Sequence, residues 1–318
     1  MPDTTLVIGA GISGLIVARE LSQLGQKVIV LEKSRGLGGR MATKRIGDGV
    51  FDQGTQYFTA RQPAFQRLID EWMQAGVAQR WAGSPHRYVG QPSMTGIAKY
   101  LATGLDVRRE AKVTAVRRKD ALWHVDVDQA EPMIATRLVL TSPVPQSLTV
   151  LAQGGVTLPA ETSAALAQLT YHSCLALLVL LDGPSDVPFE GVAPATGPLR
   201  WVADNGKKGV GPSAPAAVTL HARPDFSAQH YADDHAQVAE LLLPAAKRWF
   251  GSAREISTTL HRWRYSEPTT QHSAPCIWLP ELALGFAGDA FGGPKLEGTV
   301  VSGLALAQVL TGAGAGKV

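Results

Sequence analysis

Two hydrophobic rhythms alternate along the chain. A short apolar run at 5–8 leads into Gly9-Ala10-Gly11-Ile12-Ser13-Gly14. A helix-period segment follows through Leu24, where Gly25 ends it, and a second apolar run at 27–31 (KVIVL) closes on Glu32. Brief apolar runs bounded by turn formers predict buried strands, and the period of 3.6 between them predicts a helix. The opening of the chain is therefore a compact βαβ unit.

The stretch 34–54 is glycine-rich and basic and predicts a loop. Segments 63–75 and 94–103 read as helices, the second with Ser93 as its N-cap. Alternation over 106–127 predicts a β-meander turning at Lys119-Asp120, and 137–141 (RLVLT) predicts a buried strand stopped by Pro143 and Pro145. From 161 to 275 the pattern becomes strands separated by Pro/Gly loops. Strands at 169–181, 199–203, 217–222 and 258–265 form one predicted sheet, with a helix at 234–250 packed on it. The last segment returns to α/β order, with a strand at 284–287, a loop at 288–297 and a helix at 298–310. The terminal Gly-Ala-Gly-Ala-Gly is expected to be disordered.

Composition narrows the function classes. The 318 residues are 45% hydrophobic and 18% charged, as in ordinary globular proteins. A net charge of +3 is too small to suggest nucleic acid or a polybasic membrane anchor. The basic residues Arg108, Arg109, Lys112, Arg117, Arg118 and Lys119 read as a solvated edge. No charged segment followed by an apolar core opens the chain, so no secretory signal is expected, and the richest apolar run, 174–181 (CLALLVLL), is strand-sized. Cys174 and Cys276 have no metal-ligand spacing and are expected to be reduced. A cytoplasmic protein without membrane partners fits these features.

Candidate chemistry begins at the first turn. Gly9, Gly11 and Gly14 match the dinucleotide fingerprint: a tight turn, close backbone approach to a pyrophosphate, and close helix–strand packing. Amides of Ile12 and Ser13 at the helix N-terminus meet the negative charge. Glycine-rich turns are common, but here a strand precedes, a helix follows, and Glu32 ends the second strand eighteen residues past Gly14. That carboxylate can accept both ribose hydroxyls of an adenosine, with Lys33 beside it.

The rest of the chain favours FAD over NAD as the bound dinucleotide. Gly38 and Gly39 allow a second backbone approach to phosphate, which Arg40 can neutralise. At the far end, Gly288-Asp289 after a strand places a carboxylate for a ribityl hydroxyl. Leu296-Glu297-Gly298 opens a helix whose Thr299 and Val300 amides can address the flavin pyrimidine oxygen. The expected fold class is α/β. A Rossmann-like FAD-binding domain (1–60, 98–150 and 277–318) is joined to an α+β substrate domain on an antiparallel sheet (61–97 and 151–276).

These motifs resemble the FAD-dependent amine-oxidase-like superfamily. Asp52-Gln53-Gly54-Thr55-Gln56-Tyr57-Phe58-Thr59 and His261-Arg262-Trp263-Arg264-Tyr265 make the chain similar to the bacterial renalases. The resemblance implies oxidation of isomeric dihydronicotinamide forms of NAD(P) to NAD(P)⁺, with O2 reduced to H2O2. It also implies that backbone atoms of Val113 clasp the adenine. FAD is expected to be non-covalent, because neither cysteine lies in a flavin motif.

Amine oxidation is the enzymatic alternative, alongside desaturation; a non-catalytic redox sensor is the other. Amine oxidases typically carry a tyrosine where Lys295 stands, and a lysine on the strand where Tyr171-His172-Ser173-Cys174 offers none. Both departures argue against amines. Gln56 and Tyr57 are candidate site residues because they follow the glycine that brings their loop inward. In the strand 258–265, alternation puts His261, Trp263 and Tyr265 on one face and Arg262 and Arg264 on the other. Either face can line the site, with Arg262 or Arg264 a candidate for a substrate phosphate. Tyr57, Trp263 and Tyr265 are equally readable as core aromatics, whereas Trp201 reads better as core and His172 and His221 as satisfied sheet residues. No histidine pair has metal-ligand spacing.

Overall fold

The structure, a computed structural model, describes residues 3–312. Gly312 caps the last helix with a left-handed backbone, and the rest of the Gly-Ala tail expected to be disordered lies outside the described residues.

Strand Thr4–Ile8 sits in the middle of a six-stranded sheet, flanked in parallel by Lys27–Leu31 and Arg137–Leu140. Asp106–Arg108 extends one side and Leu284–Phe286 the other, with Ile277–Leu279 added antiparallel at the edge. Alternation divides the core: Val7, Val30 and Val139 pack on helices Ile12–Gln23 and Leu296–Thr311, while Leu6, Ile29 and Leu138 pack on a separate three-stranded sheet through Val116, Trp123 and Val125. A parallel sheet buried on both faces is the expected outcome of continuous apolar runs such as KVIVL.

The second layer is an antiparallel sheet in the order Leu199–Asp204, Ala217–Ala222, Tyr171–Leu181, Glu255–Pro268. One face carries Leu175, Leu177, Val179, Val218 and Leu220 against helix His235–Ala246, whose Val238 and Leu242 complete that core. The other face looks toward the loop around Gly54. The fold is therefore α/β, with a Rossmann-like parallel sheet and a separate antiparallel sheet.

Two expectations are corrected, and one element was missed. Residues 106–108 leave the predicted meander and pair in parallel with Lys27–Leu31, and the meander proper is Val113–Lys119, Leu122–Val127 and Met133–Ala135. The predicted loop 34–54 contains a short hairpin, Thr43–Ile46 with Gly49–Asp52. A second hairpin, Ala78–Arg80 with Tyr88–Gly90, had no sequence signal, since strands of three residues show no measurable alternation. Among the described residues no helix is long and apolar enough to cross a membrane.

Candidate functional site

The first glycine turn is constrained by its own packing. Gly9 has φ +109°, and a Cβ on Gly14 would lie 2.1 Å from the Gly9 carbonyl oxygen. A Cβ on Gly11 would meet nothing within 4 Å, so that glycine faces open space. The amides of Ile12, Ser13 and Gly14 begin the helix and have no carbonyl four residues back within it. The buried Ser13 hydroxyl likewise has no partner. Unused donors around an open glycine form a cradle for an anion, so these residues fit a dinucleotide pyrophosphate.

Glu32 is buried at the end of its strand. Its Oε2 accepts from the Ala10 amide at 2.9 Å and its Oε1 from the Ser34 amide at 2.8 Å. A carboxylate has about four acceptor positions, so both oxygens can still take ribose hydroxyls. The Glu32 carbonyl accepts from Ala111 at 2.9 Å, which draws the start of strand Val113–Lys119 toward the same corner. Lys33 is exposed and reaches Gln146 at 3.2 Å.

The second glycine pair backs onto the first. Gly38 and Gly39 have φ of +95° and +54°, Gly38 donates to the Ala10 carbonyl at 2.9 Å, and a Cβ on Gly39 would sit 3.6 Å from Gly11 Cα. Arg40 then pairs with the buried Asp289 and also donates to the Ser266 carbonyl at 3.3 Å. Residues from three remote parts of the chain thus meet at one ion pair. Tyr171 lies against it; burial first, and then the Asp289 charge, push its phenol pKa up, so it stays protonated. Gly288 donates to Ser302 Oγ at 2.8 Å, fixing the start of the Asp289 turn.

The last helix starts earlier than the sequence suggested. It runs Leu296–Thr311, and Thr299 donates its amide to the Lys295 carbonyl at 3.1 Å. Thr299 and Val300 therefore belong to the helical ladder, and the free amides are those of Leu296, Glu297 and Gly298. Gly298 is tightly enclosed, since a Cβ there would lie 2.4 Å from the Gly293 carbonyl. Glu297 turns away from this role: its Oε1 accepts from the amides of Arg61 and Gln62, both at 2.7 Å, and so caps helix Pro63–Gln74.

Of the two faces of strand Glu255–Pro268, one meets the loop around Gly54. Trp263 Nε1 donates to the Gln53 carbonyl at 3.0 Å, and His221 Nε2 lies 3.1 Å from that same oxygen. His261 packs its ring 4.2 Å from Trp263, and Tyr265 lies 5.6 Å from Tyr171. A Cβ on Gly54 would lie 2.1 Å from the Arg40 carbonyl and 3.1 Å from Trp263, so this glycine lets the cofactor-side and sheet-side segments touch. Arg262 and Arg264 point the other way. Arg262 binds the carbonyls of Tyr231 and Asp233, and Arg264 lies 6.0 Å over the Tyr231 ring. Arg264 is thereby removed from the candidate site; the strand's two-residue period forces it there once Trp263 faces inward.

Gln56 is buried and fully engaged. Its Nε2 donates to the carbonyls of Asp52 (2.5 Å) and Gly54 (3.0 Å), and its Oε1 accepts from Lys208 at 3.2 Å. Lys208 is itself fully buried and pairs with Asp52 at 3.0 Å. Asp52 also accepts from Thr43 Oγ1 at 2.7 Å and from the Met94 amide at 3.1 Å. Burial lowers the Lys208 pKa, opposed chiefly by the Asp52 charge. Sequence reasoning missed Lys208 because Gly206-Lys207-Lys208-Gly209 reads as a solvated turn. It missed Trp81 and Arg87 too, which pack on Tyr57 from the second hairpin.

Burial pushes the His221 pKa down to about 4, helped by the nearby positive charges of Lys208 and Arg200 and opposed by the Gln53 hydrogen bond. Burial, then the charge of Lys44, lowers that of His261. The unfolded chain then binds more protons than the native protein below the ordinary histidine value of 6.5. Stability contributed by the neutral imidazole is complete above that pH and is lost as pH falls toward about 4. Urea unfolding across this window should show the loss, and His221→Gln should flatten part of the slope; an unchanged slope contradicts the assignment.

Both thiols are raised by burial, Cys174 to about 12, so neither is a ready nucleophile. Among the described residues no group of three His, Cys, Asp or Glu is placed to hold a metal.

A family model described as an NAD(P)-binding Rossmann-like domain matches residues 7–72. Renalase of Mus musculus is 24% identical over 343 aligned positions, which cover 96% of this chain and 98% of that protein. The likeness to renalase covers nearly the whole chain. A flavin-dependent L-tryptophan oxidase of Lentzea aerocolonigenes is 56% identical over 43 residues, 14% of this chain and 9% of the oxidase. Among solved structures, a putrescine oxidase bound to putrescine has a TM-score of 0.68 at 14% identity, covering 98% of this chain and 99% of that one. An oxidoreductase from Methanosarcina mazei has a TM-score of 0.68 at 13% identity, covering 95% and 99%. At such identities the solved structures show the shared fold. With renalase, they make the chain similar to flavoprotein oxidoreductases.

Proposed function

We propose that this protein is an FAD-dependent oxidase of the renalase type, acting on isomeric dihydronicotinamide forms of NAD(P). The carrying observation is the convergence of 9–14, 38–40 and 288–289 on one cradle, joined through Gly54 to the His261–Trp263–Tyr265 face.

Ser13 and the amides around Gly11 and Gly39 would hold the pyrophosphate, with Arg40 supplying positive charge beside it. Glu32 would accept the ribose hydroxyls, the Val113 backbone would hold the adenine, and Asp289 would take a ribityl hydroxyl. The free amides of Leu296, Glu297 and Gly298, rather than those of Thr299 and Val300, would address the flavin pyrimidine oxygen. FAD so held would accept a hydride and return two electrons to O2, converting the dihydronicotinamide, a proton and O2 to NAD(P)⁺ and H2O2.

The protein's task on the substrate side is positioning. Aromatisation drives hydride loss, so no general base is required, and orientation alone can supply much of the rate. Trp263, Tyr265, His261 and Tyr57 offer flat walls, and Gln56 fixes the loop that carries Tyr57. In aerobic assays, isomers of NADH should yield peroxide while methylamine and polyamines yield none. Peroxide from amines alone would overturn this reading in favour of amine oxidation.

A further inference from the structure

Tyr57, Trp81 and Trp201 form a three-ring cup. Ring centroids lie 5.6 Å apart for Tyr57 and Trp81, 5.4 Å for Tyr57 and Trp201, and 6.2 Å for Trp81 and Trp201. The planes are tilted by 47° to 66°, so the rings do not stack into a plug. Each ring comes from a different element. Trp81 follows strand Ala78–Arg80, Trp201 lies on edge strand Leu199–Asp204, and Tyr57 follows the Gln56 anchor. Gly191 permits the Trp201 position, since a Cβ there would lie 2.5 Å from Trp201 Cζ2.

The cup holds a cation supplied by the protein. The Arg87 guanidinium lies 4.4 Å from the Tyr57 centroid, 5.6 Å from Trp201 and 5.8 Å from Trp81. Arg87 is fixed there on both sides. Trp81 donates its amide to the Arg87 carbonyl at 2.9 Å across the hairpin, and Arg87 Nη1 donates to the Glu190 carbonyl at 2.9 Å. An aromatic cup of this kind attracts a cation to its electron-rich ring faces. Here the attraction is already satisfied internally, by the Arg87 guanidinium.

We propose that Arg87 is the resident cation of this cup and sets the charge class of the adjoining chamber, excluding ammonium compounds and leaving neutral or anionic donors. The link from cup to chamber rests on the proposed function, because it takes Tyr57 as a chamber wall. Trp201 pairs across the sheet with His221, which faces the Gln53 carbonyl that Trp263 also binds, so the cup continues the sheet face assigned to substrate. A neutral dihydronicotinamide meets no like charge there, whereas an amine would have to displace the guanidinium or sit beside it.

The test uses choline and its uncharged isostere 3,3-dimethyl-1-butanol, with tryptophan fluorescence and calorimetry as readouts on the purified protein. Wild type should bind neither. Arg87→Ala should bind choline saturably and at least ~5-fold more tightly than the isostere, the scale of an exposed to partly desolvated cation–π contact. Arg87→Lys should restore exclusion. Arg87→Gln keeps a donor for the Glu190 carbonyl while losing the charge, so it guards against collapse of the hairpin and should also bind choline. Equal choline binding by wild type and variants, or no binding by either Arg87→Ala or Arg87→Gln, overturns the proposal. Neither result depends on turnover. Failure of dihydronicotinamides to reduce the flavin would remove the oxidase reading and leave the cup intact as a cation site.

Discussion

Lys208→Met should lower the unfolding free energy by about 3–5 kcal/mol, the usual cost of leaving a buried charge without its partner. Lys208 and Asp52 are both fully buried, and their contact at 3.0 Å ties the loop before Gly54 to the Asn205–Lys208 turn. Removing the ammonium strands the Asp52 carboxylate in a dry site and leaves Gln56 Oε1 unpaired. The double change Asp52→Leu with Lys208→Met should recover part of the loss, because it removes both desolvated charges. Recovery stays incomplete, since Thr43 Oγ1 and the Met94 amide then lose their acceptor. Urea unfolding of the three variants measures this. A loss below about 1 kcal/mol for Lys208→Met would mean that the pair is solvated and does not anchor the loop.

Two glycine substitutions separate cofactor binding from folding. Gly14→Ala should damage both, because its Cβ would lie 2.1 Å from the Gly9 carbonyl and push the helix from the strand. Gly11→Ala should leave apoprotein stability near that of wild type, since the added methyl meets no protein atom within 4 Å. The same methyl would occupy the approach to the pyrophosphate, so FAD affinity should fall at least ~10-fold, equivalent to roughly 1.4 kcal/mol. Flavin retained on gel filtration, read beside apoprotein melting, distinguishes the cases. Gly11→Ala with full flavin and normal melting would show that the cradle does not receive phosphate.

The dinucleotide turn was legible because its constraints are local. Gly9, Gly14 and Glu32 act within one βαβ unit, and each follows from backbone geometry that a side chain would violate. Arg40 and Asp289 were recognisable as charged residues beside glycines, but their pairing was not, since no pattern within either segment records a contact across 249 positions. The start of the last helix escaped because Lys295 caps it without a side-chain hydrogen bond, leaving no capping signature. Strand 106–108 was assigned to the wrong sheet because alternation reports burial of a face and not the identity of a neighbour. The period of two did separate Trp263 from Arg264, and only the Gln53 contact chose between the faces. Lys208 and Arg87 were silent for a shared reason: charged residues in turns read as solvated until the fold brings Asp52, or three aromatic rings, to meet them.

The most direct test of the central claim is anaerobic mixing of the flavin-loaded protein with borohydride-reduced NAD⁺, a mixture of ordinary NADH and its ring isomers. Visible absorbance of the flavin is followed in time. Rapid bleaching that consumes a minor isomer, with pure NADH far slower, is the predicted result and identifies the donor carbon. An unbleached flavin with every isomer, or bleaching by amines in their place, would contradict the account.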